Sequence, residues 1–355
     1  MMQSKIQNPK SKIGTSKIQN PKSKMKWVLI QSAVSLALIG LLVGLGSRAD
    51  LLTSFRALQL GTLALALGLQ VIAFVLNSRR WQLLLSNAGI KQRLGELAAL
   101  YFIGQFFSLF LPTGAGGDVV RIYDVGRRSG QFPQAAMATL QERLLGLGAS
   151  LAIGLAATIY YLPLVPPRLR LWMGIIQIVG ATGIALLLYP ALLFAVAGRF
   201  WRAYGHRPAL QQIAQRPLIA RIVAVLRPIG ALPPLRPLRL ALLLSMAATA
   251  VLMGIGMYYV IGRSLGIQIG FMAFCLVVPL VWIIRMAPLS LNGLGVGEGA
   301  FVFLMGWFAV PAHKALVLAL AFLGVQTCCA LFGGLLLALR MAHGSWAGAR
   351  RTLVE

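Results

Sequence analysis

Seven runs of apolar residues, each long enough to cross a bilayer, constrain this chain more than any other feature of it. They lie at about 27–46, 57–77, 144–162, 171–197, 240–261, 269–287 and 314–339. A hydrocarbon core of about 30 Å is crossed by roughly 20 apolar residues wound as a helix. Backbone N–H and C=O groups find no water there, so such runs must satisfy their hydrogen bonds internally. Only 11% of the residues are charged and 58% are hydrophobic, against roughly 25% charged in a soluble domain. The expected fold class is all-α, a polytopic membrane helix bundle of about seven to nine membrane segments.

Two further apolar runs, at about 97–111 and 299–310, are too short to span. Fifteen helical residues cover only about 22 Å. Each adjoins a glycine-rich loop carrying charge, which points to two short re-entrant or broken helices.

Topology follows from Lys and Arg, which number 33 against seven Asp and Glu, giving a net charge of +26. With the amino terminus inside, segments 1–26, 78–95, 121–143, 199–239 and 340–355 fall on the inner side and hold 26 of the 33. That bias places both termini in the cytoplasm of a multi-pass inner (plasma) membrane protein. It also requires residues 97–120 to enter and leave on the cytoplasmic side. The basic clusters alternate with apolar runs, a pattern of topogenesis and anionic headgroups. No basic domain stands apart from the spans, so no nucleic-acid partner is expected.

Residues 1–26 contain SKIQNPKSK twice, at 4–12 and 16–24, and are expected to be a disordered basic segment, dispensable before Met25. Residues 27–340 form the transmembrane domain and 341–355 a short cytoplasmic tail. Within it, 199–239 carries eight arginines and no acid. It reads as a basic amphipathic loop at the cytoplasmic surface, or equally as a loop that fixes topology. Cys275, Cys328 and Cys329 sit in apolar runs as small hydrophobes, and His206, His313 and His343 are scattered. No metal site and no cofactor are expected.

Four of the seven carboxylates lie between positions 96 and 142. In 111-LPTGAGGDVVR-121, Pro112 ends a helix, and Gly116 and Gly117 allow an irregular backbone before the next one. Asp118 and Arg121 are three apart and share a helix face. A helix N-terminus at this point also offers free N–H groups to a phosphate. The bland alternative is a cytoplasmic turn with a solvated ion pair. The second loop, 285-RMAPLSLNGLGVGEGAF-301, has the same grammar: Pro288, then Asn292, Gly293, Gly295 and Gly297, then Glu298. Arg285 stands inside an apolar run, and Glu298 is its expected partner. The alternative is that both snorkel to the headgroups. This loop enters from the outer face, opposite to the first, which is the sign of inverted repeats with a site at mid-membrane. Between them, Glu142 and Arg143 start a span, where they anchor the helix or line the same cavity.

LPTGAGGDVVR (111–121), QERLLGL (141–147) and PLSLNGLGVGEGAF (288–301) together resemble the lysylphosphatidylglycerol synthase transmembrane region, the flippase-like or UPF0104 family. The resemblance covers about 27–340. It implies that Pro112, Gly116, Gly117, Asp118 and Arg121 form a first signature, Glu142 and Arg143 a second, and Asn292, Gly293, Gly295 and Glu298 a third. The family often has Asn where Ser108 stands and Arg where Gly297 stands; Arg285 is the available substitute for the latter. Its bifunctional members carry a cytosolic aminoacyl-transfer domain after the membrane region. This sequence shows fifteen residues after its final span, so lysyl transfer is not expected of it alone.

The leading functional expectation is a flippase-like transporter of an anionic phospholipid or a polyprenyl-phosphate lipid. Arg121 and the helix start near Gly117 would take the phosphate, and Asp118, Glu142 and Glu298 would complete a polar path. A headgroup cannot cross hydrocarbon unless polar groups replace its water. Two other classes stay open: a non-catalytic membrane partner of a separate glycosyltransferase or lipid-modifying synthase, and a lipid-processing enzyme. The enzyme lacks a Ser–His–Asp, HExxH or acidic metal pattern in this sequence.

Overall fold

The computed structural model describes residues 48–110, 116–163, 236–286 and 290–342, together with isolated positions between 31 and 44 and between 171 and 203. Pro112, the repeat-bearing first 26 residues, most of 199–239, the 343–355 tail and most of the 27–46 and 171–197 runs lie outside them. Among the described residues the order is α1 (Arg48–Arg56), α2 (Leu60–Asn87), α3 (Leu94–Phe110), α4 (Gly116–Ser129) and α5 (Phe132–Tyr160). Then come α6 (Pro237–Ser264), α7 (Phe271–Arg285), a 3₁₀ turn at Leu291–Gly293, α8 (Val296–Gly306) and α9 (Ala312–Ala342). No strand occurs among the described residues.

Four of these helices, α2, α5, α6 and α9, are long and apolar enough to cross a membrane, at 28, 29, 28 and 31 residues. Their outward faces keep large apolar side chains in the open, Leu65, Ile72, Phe332 and Leu335 among them, as a bilayer-facing surface requires. The shorter α3, α7 and α8 are also apolar, but at 17, 15 and 11 residues they do not span.

Contacts between the long helices fix their directions. Arg239 near the start of α6 reaches Asn87 at the end of α2 at 2.9 Å, so α2 and α6 run antiparallel. Trp81 near the end of α2 donates to Thr139 near the start of α5 at 3.1 Å, so those two are antiparallel as well. The α3–α4 pair therefore leaves and rejoins the bundle at one end, between the close of α2 and the opening of α5. At the far end, Gly262 of α6 lies beside Leu318 of α9, so the α7–α8 pair leaves and rejoins there. Two hairpins thus enter the bundle from opposite ends. The 269–287 run, read from hydropathy as long enough to span, is the descending arm of the second hairpin.

The two halves match in detail. α6 begins 177 residues after α2 (Pro237 and Leu60), and α7 begins 177 residues after α3 (Phe271 and Leu94). The cap after the first span repeats at the same offset. Gly89 (φ 86°) and Gly266 (φ 70°) take the left-handed conformation that glycine adopts without strain. The following Ile90 and Ile267 N–H groups donate back five residues to Leu85 and Gly262 at 2.8 and 3.0 Å. Both isoleucines are buried, so each cap stops its span and seats an apolar plug at the same point.

Two boundaries differ from hydropathy. α2 continues ten residues past position 77, carrying Arg80 inside the bundle instead of in a loop. α5 begins at Phe132, so Glu142 and Arg143 do not start a span; they lie ten and eleven residues into it. In both cases a buried charge, Arg80 or Glu142, faces other helices and not lipid, so a window that scores hydropathy alone ends too early.

Candidate functional site

The first hairpin closes over glycine. Gly117, at the start of α4, lies so near Gly104 of α3 that a Cβ there would fall 2.7 Å from the Gly104 carbonyl carbon and from Ser108 Oγ. With both positions bare the arms touch, and the Gly117 N–H donates to Ser108 Oγ at 3.1 Å. Ser108, where relatives often carry Asn, thus takes one of the free N–H groups at this helix start. The contact sets α4 so that Asp118 and Arg121 turn toward α2 and α5.

There they join three more charged side chains in a cluster of five. Glu142 sits between two arginines: Arg80 Nη2 donates to its Oε1 at 2.6 Å, and Arg121 Nη2 lies 3.3 Å from its Oε2. Arg121 also pairs with Asp118 one turn back, and Asp118 Oδ2 receives Arg143 Nη1 at 3.0 Å. Glu142 and Arg143, adjacent in sequence, therefore pair with other elements and not with each other. Tyr101 Oη donates to Glu142 Oε1 at 3.3 Å. The Arg121 guanidinium is stacked 4.4 Å from the Tyr101 ring and 4.9 Å from the Trp81 ring, where π faces replace part of the hydration that burial removes. The Arg80 and Glu142 side chains are each only 4% exposed. Three arginines face two carboxylates, leaving one net positive charge. From the helix ends the cluster lies roughly 10–15 Å deep, at 1.5 Å per residue.

The cluster borders a cavity of about 320 Å³, which suits a headgroup-sized solute and not a lipid chain. Gly117, Asp118, Arg121, Glu142 and Arg143 all line it, as do Arg80 and Tyr101, and Trp282 from the second hairpin forms part of the opposite wall. Helices of both hairpins therefore line one space. Beyond the charges the polar lining is neutral, with Gln70, Asn77, Gln105, Ser150 and Gln326, and the rest is apolar, with Leu147, Val251 and Phe322 among it. Asn77 Oδ1, Ser150 Oγ, Gln326 Oε1 and Arg80 Nε are buried atoms with no hydrogen-bond partner among the described residues. Unpaired buried polar atoms are costly, and here four of them border the same space.

Gly116 opens α4 beside this group and is buried. The other anticipated residues gather elsewhere. Arg285 ends α7, and its Nη2 lies 3.7 Å from Glu298 Oε1. Glu298 Oε2 accepts from the Gly295 N–H at 2.6 Å, so it closes the first turn of α8 as well. Asn292, Gly293 and Gly295 have φ of 50°, 73° and 82° and carry the chain round the hairpin tip. A Cβ on Gly297 would fall 2.6 Å from Arg285 Cγ and Cδ, so the arginine stem occupies the space above this glycine. These second-loop residues do not line the cavity, although Arg285 follows the cavity residue Trp282 by one helical turn.

Sequence reasoning passed over Arg80, Tyr101, Trp282 and the neutral polar lining. One signal was available: Gln70, Asn77 and Arg80 recur at i, i+7 and i+10 along an apolar helix, which is one face.

Four membrane-length helices, lipid-facing apolar sides and two hairpins entering from opposite ends define a multi-pass integral membrane protein. Residues 28–334 match the family described as the lysylphosphatidylglycerol synthase TM region, and the chain belongs to that family. No curated protein matches the chain.

Proposed function

We propose that this protein binds the phosphate-bearing headgroup of an anionic membrane lipid in the cavity lined by helices of both hairpins and passes it between leaflets. The observation that carries this reading is the net-positive cluster of Arg80, Arg121 and Glu142, all buried, with the part-buried Asp118 and the more exposed Arg143, beside polar atoms with no partner among the described residues. A phosphate placed there would neutralise the excess charge, and its hydroxylated surroundings would meet the idle amide and hydroxyl groups. The apolar chains would stay in the bilayer. Family membership supports an integral membrane protein concerned with lipid, and the positive-inside bias favours a first hairpin that opens to the cytoplasmic side of the plasma membrane. No aminoacyl transfer or other catalysis is part of this reading.

Leaflet exchange of fluorescent phosphatidylglycerol and of a polyprenyl-phosphate lipid in proteoliposomes tests it. Ser150→Leu fills part of the cavity without touching the charges, and is expected to slow exchange while the protein inserts normally. Exchange that is absent for both lipids in the unmodified protein would refute transport, leaving a lipid-binding membrane partner for a separate glycosyltransferase or synthase. Exchange equally fast in the Ser150→Leu form would move the path away from this cavity.

A further inference from the structure

The cavity's charge count also bears on what kind of headgroup it takes. Its charged lining consists of Arg80, Arg121 and Arg143 against Asp118 and Glu142. Both carboxylates are already committed, Glu142 to Arg80 and Arg121, Asp118 to Arg121 and Arg143. Everything else polar on the wall is neutral: Gln70, Asn77, Gln105, Ser150 and Gln326, together with Tyr101 and Ser108. We infer that the site selects a lipid phosphodiester bearing a single negative charge and an uncharged, hydroxyl-rich headgroup, such as glycerol or a sugar, and rejects headgroups that carry an amine.

The inference rests on the headgroup reading above and narrows it. A phosphodiester brings one negative charge and cancels the single excess positive charge. A pyrophosphate or a phosphomonoester brings more and would leave a buried negative excess. An ethanolamine or aminoacyl headgroup brings an ammonium, whose charge needs a carboxylate once it leaves water. The described wall has idle neutral acceptors but no carboxylate that is not already neutralising an arginine, so the ammonium would add to the positive excess. Hydroxyl groups, by contrast, donate and accept, and so match amides and a serine whose oxygens stand idle. Ser150 is 4% exposed with Oγ unpaired, and Asn77 Oδ1 and Gln326 Oε1 are likewise unpaired acceptors. The resulting preference runs against aminoacylated phosphatidylglycerol, the lipid that the family's description brings to mind.

The test is native mass spectrometry of the full chain, released from micelles doped with equimolar phosphatidylglycerol, a polyprenyl phosphoglucose, phosphatidylethanolamine and lysylphosphatidylglycerol. Retention of one or both neutral-headgroup phosphodiesters over both amine-bearing lipids is expected by at least roughly tenfold, the factor that 1.4 kcal/mol represents. Which of the two is kept tells glycerol from sugar. Gln326→Glu is isosteric and adds a carboxylate to the neutral wall, so it is expected to lower that ratio and to raise retention of the ethanolamine lipid. Equal retention of lysylphosphatidylglycerol, a ratio unmoved by Gln326→Glu, or no retained lipid at all would each overturn the inference. Selective retention without leaflet exchange would instead sink the transport reading and leave the headgroup assignment standing.

Discussion

Glu142→Gln is the substitution from which the structure extracts the best-defined penalty. The side chain is nearly isosteric, so packing is kept and only the charge is lost. In the native protein Glu142 answers Arg80 at 2.6 Å and Arg121 at 3.3 Å, with all three side chains at 7% exposure or less. Removing one partner of a buried pair leaves an uncompensated charge and costs about 3–5 kcal/mol. Arg121 still has Asp118, whereas no other carboxylate pairs with Arg80 among the described residues. The expected loss is therefore about 3 kcal/mol, the lower end of that range. Denaturant titration in mixed micelles measures it, with labelling of the buried Cys275 and Cys329 thiols reporting the transition and the exposed Cys328 giving the baseline. Arg80→Met removes the stranded charge, so the double variant is expected to be more stable than the sum of the singles by at least about 1 kcal/mol. A Glu142→Gln protein within about 0.5 kcal/mol of the parent, or strictly additive variants, would mean that water screens the cluster and that its burial has been misjudged.

Four further substitutions, at three positions, probe the frame around it. Gly117→Ala puts a methyl 2.7 Å from Gly104 backbone and Ser108 Oγ; it is expected to cost about 1–3 kcal/mol by overpacking and to slow leaflet exchange. Tyr101→Phe keeps the ring on Arg121 and loses only the bond to Glu142, for about 0.5–1.5 kcal/mol. Tyr101→Ala removes the ring too and is expected to cost about 3–5 kcal/mol in the same titration. Arg285→Met keeps the stem over Gly297 but leaves Glu298, 2% exposed, with the Gly295 N–H as its remaining bond; it should cost about 3 kcal/mol, and a loss below 1 kcal/mol would show the 3.7 Å pair to be idle.

Both hairpins were legible because three local signals coincide: a run too short to span, a proline or glycines that break it, and a charge that lipid would not tolerate. The Asp118–Arg121 pair follows from spacing alone. Arg285–Glu298 is thirteen residues apart and could be named only because an arginine inside an apolar run demands a carboxylate. Arg80 was lost for a physical reason. In 78-SRRW-81 two arginines stand together at the end of a hydrophobic window, and counting positive charges assigns both to a loop. On the helix they diverge by about 100°: Arg79 is exposed and bonds Gln82, while Arg80 turns inward to Glu142. The early start of α5 was hidden likewise, since Ala135, Ala138, Thr139 and Glu142 are buried against protein and gain nothing from being apolar toward lipid. No local pattern could bring Gln326 and Ser150, on different helices, to one wall.

The two halves duplicate a scaffold but not its charge. Five charged groups gather at the first hairpin and two at the second, and the second pair does not face the cavity. A headgroup that crosses past the second hairpin accordingly meets neutral polar atoms and no countercharge among the described residues. If a monoanionic lipid crosses alone, its distribution must follow membrane voltage, at about 2.3 kcal/mol per elementary charge per 100 mV. With the cytoplasmic side negative, the anion is driven outward, and at 100 mV the outer leaflet should be favoured by roughly 50-fold. A potassium diffusion potential across the proteoliposomes, followed by a leaflet-selective quencher, reads the distribution directly. A shift of that size and sign fits passage of an unaccompanied phosphodiester. An even distribution under voltage would require a cation to travel with the lipid, and the neutral half of the path would then need a carboxylate, for which Glu298, released from Arg285, is the nearest candidate on the second hairpin.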